Sequence, residues 1–338
     1  IGAEVGYMAT DGSSNTIIGN QASYHISGGS SVTSIGRNAG YYLSGNNNTM
    51  VGLGAARGVS TGGDSTENVV IGNSAGYYFS TANYNVAIGG GALAGPAGGM
   101  TGDNNVVVGR EAMNSTTSGY ETVAIGAQAG FNTTTANRNV FIGFKSGYNQ
   151  AASAEYNVMI GQEAGYDVSG QRNTFVGGVA GANAKVDITE TTYIGYAAGM
   201  NCSGANNTFV GSSAGISTNT GTGLTALGFS ALRTITGSYN TAIGYGVMAD
   251  GAGDAGANVG VGYRTLQALT TGDRNVSVGN YGLAELQTHN DNTTMGDEAG
   301  KQVYSSNNTI IGSRAGEKLD GTTNGAGSNT IVGAWAGR

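Results

Sequence analysis

The chain has 338 residues, among them 63 glycines, one proline and one cysteine, and only 10% of its residues are charged. A formal charge of −7, with no basic stripe, argues against nucleic acid or direct insertion into an anionic membrane, and a lone Cys202 excludes an intrachain disulfide. Glycine does not fall at every third position, which excludes collagen, and 39% hydrophobic residues at regular places are too many for a flexible linker.

Read in chain order, the sequence is one repeated phrase. An aliphatic-glycine step followed by a small residue three positions later recurs at Gly2, Gly19, Gly36, Gly52, Gly72, Gly89, Gly109, Gly126, Gly143, Gly161, Gly177, Gly195, Gly211, Gly228, Gly244, Gly262, Gly279, Gly296, Gly312 and Gly333. Most spacings are 16 to 18 residues, so 1–338 reads as a single continuous array of about 20 rungs of about 17 residues. The residue before each of these anchor glycines is aliphatic, and the one three before it is Thr or Val. The residue between is free, as in Ser34, Ala87, Tyr193, Phe209 and Gly260. Two fixed columns flanking a free one have the period of a strand, so each rung is expected to supply one short strand. The fixed columns, exemplified by Thr208 and Val210 and by Thr309 and Ile311, are the expected core columns.

Four residues before the anchor stands Asn in most rungs, including Asn48, Asn105, Asn173, Asn207 and Asn308. Stacked coils would line these amides into a hydrogen-bonded ladder. Three residues after the anchor Ala prevails, followed by Gly in twelve rungs and Leu or Met in six, which predicts a tight corner. One strand and one corner cannot bury an apolar face alone, so the rungs must stack into an all-β parallel β-solenoid.

The phrases NNTFVGSSA, YNVAIGGGA and YNVMIGQEA resemble the head repeat of YadA-type trimeric autotransporter adhesins. YNTAIGYGVM and LTALGFSAL are similar to the repeat arrays of phage tail-fibre-type proteins. The resemblance implies a left-handed β-roll and a parallel homotrimer, the chain's main partner being itself. It implies a structural or adhesive extracellular fibre, a shaft or head at a cell or virion surface. The viral alternative is a tail-fibre shaft that recognises a host-surface glycan. The array begins and stops inside a repeat, which leads us to expect a segment of a longer fibre.

No catalytic residue, metal ligand or cofactor site is expected. His25 and His289 lie far apart in the array, and the densest acidic group, Asp297 and Glu298 with Glu317 one rung on, is the weak footing for a competing reading as a carbohydrate-active solenoid enzyme. Aromatic residues five after the anchor, Tyr7, Tyr24, Tyr41, Tyr77, Tyr148 and Tyr166 with Phe131, are expected to stack along the solenoid. They are also the candidate surface for recognising a glycan or another receptor.

Overall fold

The computed structural model describes residues 1–8, 11–60, 63–184, 188–217, 220–319 and 327–337. The chain is a parallel β-solenoid of about 18 turns, without helices among the described residues. It divides into two compact units, Ile1–Arg172 and Asn173–Arg338. Within each unit every main strand is three residues long and ends one residue before an anchor glycine, as in Val123–Ile125 and Thr208–Val210. Equivalent positions pair in parallel from turn to turn: Val123 with Val140 and Val158 in the first unit, Thr192 with Thr208 and Thr225 in the second. Short two-residue pairs such as Leu43–Ser44 with Gly63–Asp64 add a second ladder where a connection is long enough to carry one.

The anchor glycines are the fixed points of the coil. Their φ values lie between +124° and +146°, a region closed to residues with a Cβ, and within each unit consecutive anchors sit directly over one another. A Cβ on Gly126 would stand 2.5 Å from the Gly143 carbonyl oxygen. Neither the conformation nor the space admits another residue.

The structure reverses the expected faces of the strand. Thr208, Thr309 and Ile311 are exposed and Val210 is half-buried, whereas Phe209 and Ile310 between them are enclosed. The same holds in every strand but the first and last of the chain, where the middle residue is half-buried too. The asparagine column sets the parity. Asn207 and Asn308 are buried, and side chains alternate along a strand, so the residue two after each asparagine must also point inward.

The coil interior is filled by this middle residue together with the residue four after the anchor, and the two sizes are matched. Ala87 goes with Leu93, Ala226 with Leu232, Ala242 with Met248 and Gly260 with Leu266, all four large partners being fully buried. Where the middle residue is large, glycine stands opposite: Phe141 with Gly147, Met159 with Gly165, Tyr193 with Gly199, Phe209 with Gly215. A Cβ on Gly199 would meet the Tyr193 ring at 2.5 Å. Close packing at crystal-like density favours one bulky group in these two columns, Val107 with Met113, both buried, being an exception. A further inward column, seven after the anchor, carries Ile26, Leu43, Phe79, Val168, Leu269, Leu286 and Val303.

Candidate functional site

With the interior filled, function falls to the outward columns. The asparagines are structural. In the first unit Asn68 Oδ1 accepts the Asn85 backbone N–H at 2.9 Å, and Asn85 Oδ1 accepts both donors of Asn105, at 2.9 Å and 3.0 Å. The Asn105 amide then donates to the Gly119 carbonyl of the next turn at 2.9 Å. In the second unit the same chain of bonds joins Asn240, Asn258, Asn275, Asn292 and Asn308. Asn48 and Asn207 make the equivalent bonds, to the Ser65 and Gly221 carbonyls, and Asn173 donates to that of Ile188. At Leu224 the ladder breaks: its N–H donates to Asn207 Oδ1 at 2.8 Å, but it has no amide to continue the chain.

The two outward columns form an aliphatic row, the residue before each anchor, beside a parallel row of Thr and Val on the outer face of the strands. Ile71 is 38% exposed, Ile125 40%, Ile194 40% and Leu227 47%. These rows run through every turn of each unit in register.

The tyrosines five after the anchor form the stack expected of them. Ring centroids lie 5.3 Å apart for Tyr7 and Tyr24, 5.1 Å for Tyr24 and Tyr41, 5.1 Å for Phe131 and Tyr148, and 5.0 Å for Tyr148 and Tyr166. Arg57 extends the first stack, its guanidinium lying 5.4 Å from the Tyr41 ring centre and 5.5 Å from that of Tyr77. The ring faces inside each stack are thus covered by their neighbours, while Tyr7, at the end of its stack, is 69% exposed. Burial of the Tyr24 phenol, with the nearby Glu4 carboxylate adding to it, pushes its pKa up.

A second aromatic row escaped the sequence reading. Phe229, Tyr245 and Tyr263, each directly after its anchor, stack with centroids 5.1 Å and 5.4 Å apart. The signal was in the same alignment, one column along, on three consecutive rungs. Charged ladders complete the surface: Arg138 bonds Glu121 at 2.8 Å and the Tyr156 hydroxyl at 2.7 Å, and Arg274 holds both oxygens of Asp291. The Arg274 guanidinium keeps the Asp291 carboxyl below its usual range.

The acidic group around Glu298 is held by cations. Its two oxygens bond Lys301 at 3.2 Å and Arg314 at 2.9 Å, which makes it an ion-pair network rather than a pair of free carboxylates. His25 stacks on Tyr42 at 4.9 Å, while the His289 carbonyl accepts from the Asn275 amide. Cys202 is buried beside Asn207, whose amide approaches its sulfur at 3.4 Å. Among the described residues no three His, Cys, Asp or Glu side chains are grouped to hold a metal ion, and no helix is long and apolar enough to cross a membrane. Against known proteins, no family model, curated protein or solved structure matches the chain.

Proposed function

We propose that the chain is a segment of a structural and adhesive fibre, a left-handed β-roll that assembles as a parallel homotrimer outside the cell. The observation that carries this reading is the doubled row of exposed Ile, Val and Thr on the strand face. A soluble single chain rarely leaves so long a regular apolar surface open. A partner of unrelated sequence would have to match the repeat turn after turn, whereas a second and third copy of this chain carry the same spacing by construction. The fibre gives length and stiffness, and its outward ladders present surfaces to a glycan or other receptor. No catalytic step is assigned to it. A cell-surface filament and a tail-fibre shaft would share this architecture.

Sedimentation velocity tests the assembly. The native chain, 33.6 kDa alone, is expected to sediment as a species of roughly 101 kDa, three chains closed around one axis. Val106→Glu with Ile125→Glu places charges on two adjacent turns of the stripe. This variant is expected to sediment as a monomer while its far-ultraviolet circular dichroism keeps the strand signal. A native chain that sediments at the monomer mass at all concentrations would defeat the trimer.

A further inference from the structure

The second unit carries a cavity that the repeat does not dictate. It has a volume of about 160 Å³ and lies between the aromatic row formed by Phe229 and Tyr245 and the edge formed by Arg233 and Asp250. Two small, buried residues line it. Gly246 stands two after its anchor, where nine other rungs carry Glu, Gln, Lys or Arg, and Ala249 stands five after, where six rungs of the first unit carry tyrosine. Gly91 and Ala94 repeat this pair in the first unit, so what sets the notch apart is its lining by Phe229, Arg233, Tyr245, Asp250, Arg264 and Gln267.

What surrounds the notch is chemically specific. Arg233 and Arg264 both line it, and neither has a carboxylate partner among the described residues. Elsewhere in this unit Arg274 and Arg314 are each paired with an acid. Arg264 lies 5.5 Å from the Tyr263 ring centre, which holds its guanidinium at the rim. The one acid of the notch, Asp250, takes its hydrogen bond from the Gln267 amide rather than from either arginine. The site therefore has a net positive charge, a mostly polar lining with the Phe229 and Tyr245 rings along one side, and one carboxylate and one amide able to bond hydroxyl groups.

We infer that this notch binds a single acidic sugar unit, a carboxylated pyranose at the end of a surface glycan. The carboxylate is met by Arg233 and Arg264, whose planar forks suit it. The hydroxyls are met by Asp250, Gln267 and the Tyr245 phenol, and the apolar edge of the pyranose lies against Phe229 and Tyr245. The cavity is smaller than the roughly 300–1,000 Å³ of sites for drug-sized ligands, which limits the occupant to about one sugar ring. This deepens the adhesive part of the reading above, yet it uses residues of one chain only and does not require three.

Ligand-observed NMR with the full chain tests the assignment, using N-acetylneuraminic acid, galacturonic acid, galactose and inorganic phosphate as separate probes. Sedimentation of the same sample is recorded alongside, so that a failed trimer and a failed site are told apart. One or both acidic sugars are expected to show saturation transfer and galactose none, and phosphate, read by its 31P line width because it carries no carbon-bound proton, is expected to show no broadening. Arg233→Gln and Arg264→Gln are each expected to weaken binding by about tenfold or more, as loss of a charge-assisted pair does. Arg274→Gln, outside the notch, is expected to leave binding unchanged. Saturation transfer to galactose equal to that for the acidic sugars, or 31P broadening of phosphate that the notch variants abolish, would overturn the proposal. So would binding indifferent to both notch variants, or none by either acidic sugar at 10 mM, roughly the weak limit for a site of this kind.

Discussion

The least replaceable residues of the coil are those whose surroundings leave one choice, and Tyr193 shows the opposite case. Its ring is needed, stacked between Phe175 and Phe209 with centroids 5.0 Å and 4.9 Å away, but its hydroxyl lies buried near Cys202 without a well-formed hydrogen bond. A buried hydroxyl without a partner costs on the order of 1–3 kcal/mol, so Tyr193→Phe is expected to stabilise the chain by about 1 kcal/mol at neutral pH. Burial also pushes the phenol pKa well above its usual value of 10.0. Below pH 10 Tyr193 is neutral whether the chain is folded or not, and its ionisation contributes nothing. Above pH 10 the unfolded chain loses the proton while the folded one keeps it, so stability falls by roughly 1.4 kcal/mol per pH unit from this group. Denaturant unfolding at pH 9, 10 and 11 is expected to show native stability falling more steeply than that of Tyr193→Phe. Parallel slopes would mean that the phenol ionises freely in the fold.

At the scale of one rung, the middle strand residue and the residue four after the anchor act as one unit, and an exchange experiment measures their coupling. Phe209→Ala empties the coil and is expected to cost about 3–5 kcal/mol. Gly215→Leu alone drives a side chain into the Phe209 ring and is expected to destabilise as well. The double variant rebuilds the pairing that Ala226 and Leu232 already make one turn later. Leu232 shows that leucine tolerates the left-handed backbone of this position, with φ of +51°. Thermal and denaturant unfolding of the four proteins are expected to give a favourable coupling of roughly 1–3 kcal/mol; additive costs would mean that the two columns do not share a space. The same pairing explains which parts of the fold were legible in the sequence. Strand positions, anchors and the asparagine ladder could be read because each is fixed by backbone geometry and so repeats without change. The inward face was misread because Thr208 and Val210 are uniform and Phe209 is not, and uniform β-branched columns suggest a core. In this coil the core column varies because its partner compensates, while the uniform columns match their neighbours along an outer face. The column of Ile26, Leu43 and Phe79 and the aromatic row at Phe229 stayed hidden for a different reason. Each is interrupted by insertions or by rungs that lack it, so only the stacked register brings it into line.

At the scale of the whole molecule, the question is what the outward aliphatic row and its Thr/Val neighbour contribute to stability. Each turn buries in its own coil only one or two large side chains, one or two alanines and, in most turns, a ladder asparagine. The backbone hydrogen bonds and the asparagine ladder link turn to turn, which makes each unit a chain of nearest-neighbour contacts rather than a deep core. Such a stack is helped most by contacts that every turn can make, and the exposed Ile and Val of the strand face are the apolar groups present at every turn. If three chains cover one another there, assembly and folding are linked, and unfolding releases separate chains. The midpoint temperature must then depend on protein concentration, because mass action favours the assembled state as the chain becomes more concentrated. Native protein scanned over a hundredfold range of concentration is expected to melt at a temperature that rises steadily with concentration. The Val106→Glu, Ile125→Glu variant is expected to melt lower and at the same temperature throughout. A native midpoint independent of concentration, in a protein that refolds on cooling, would mean that each chain is stable by itself and that its outward rows serve some other contact.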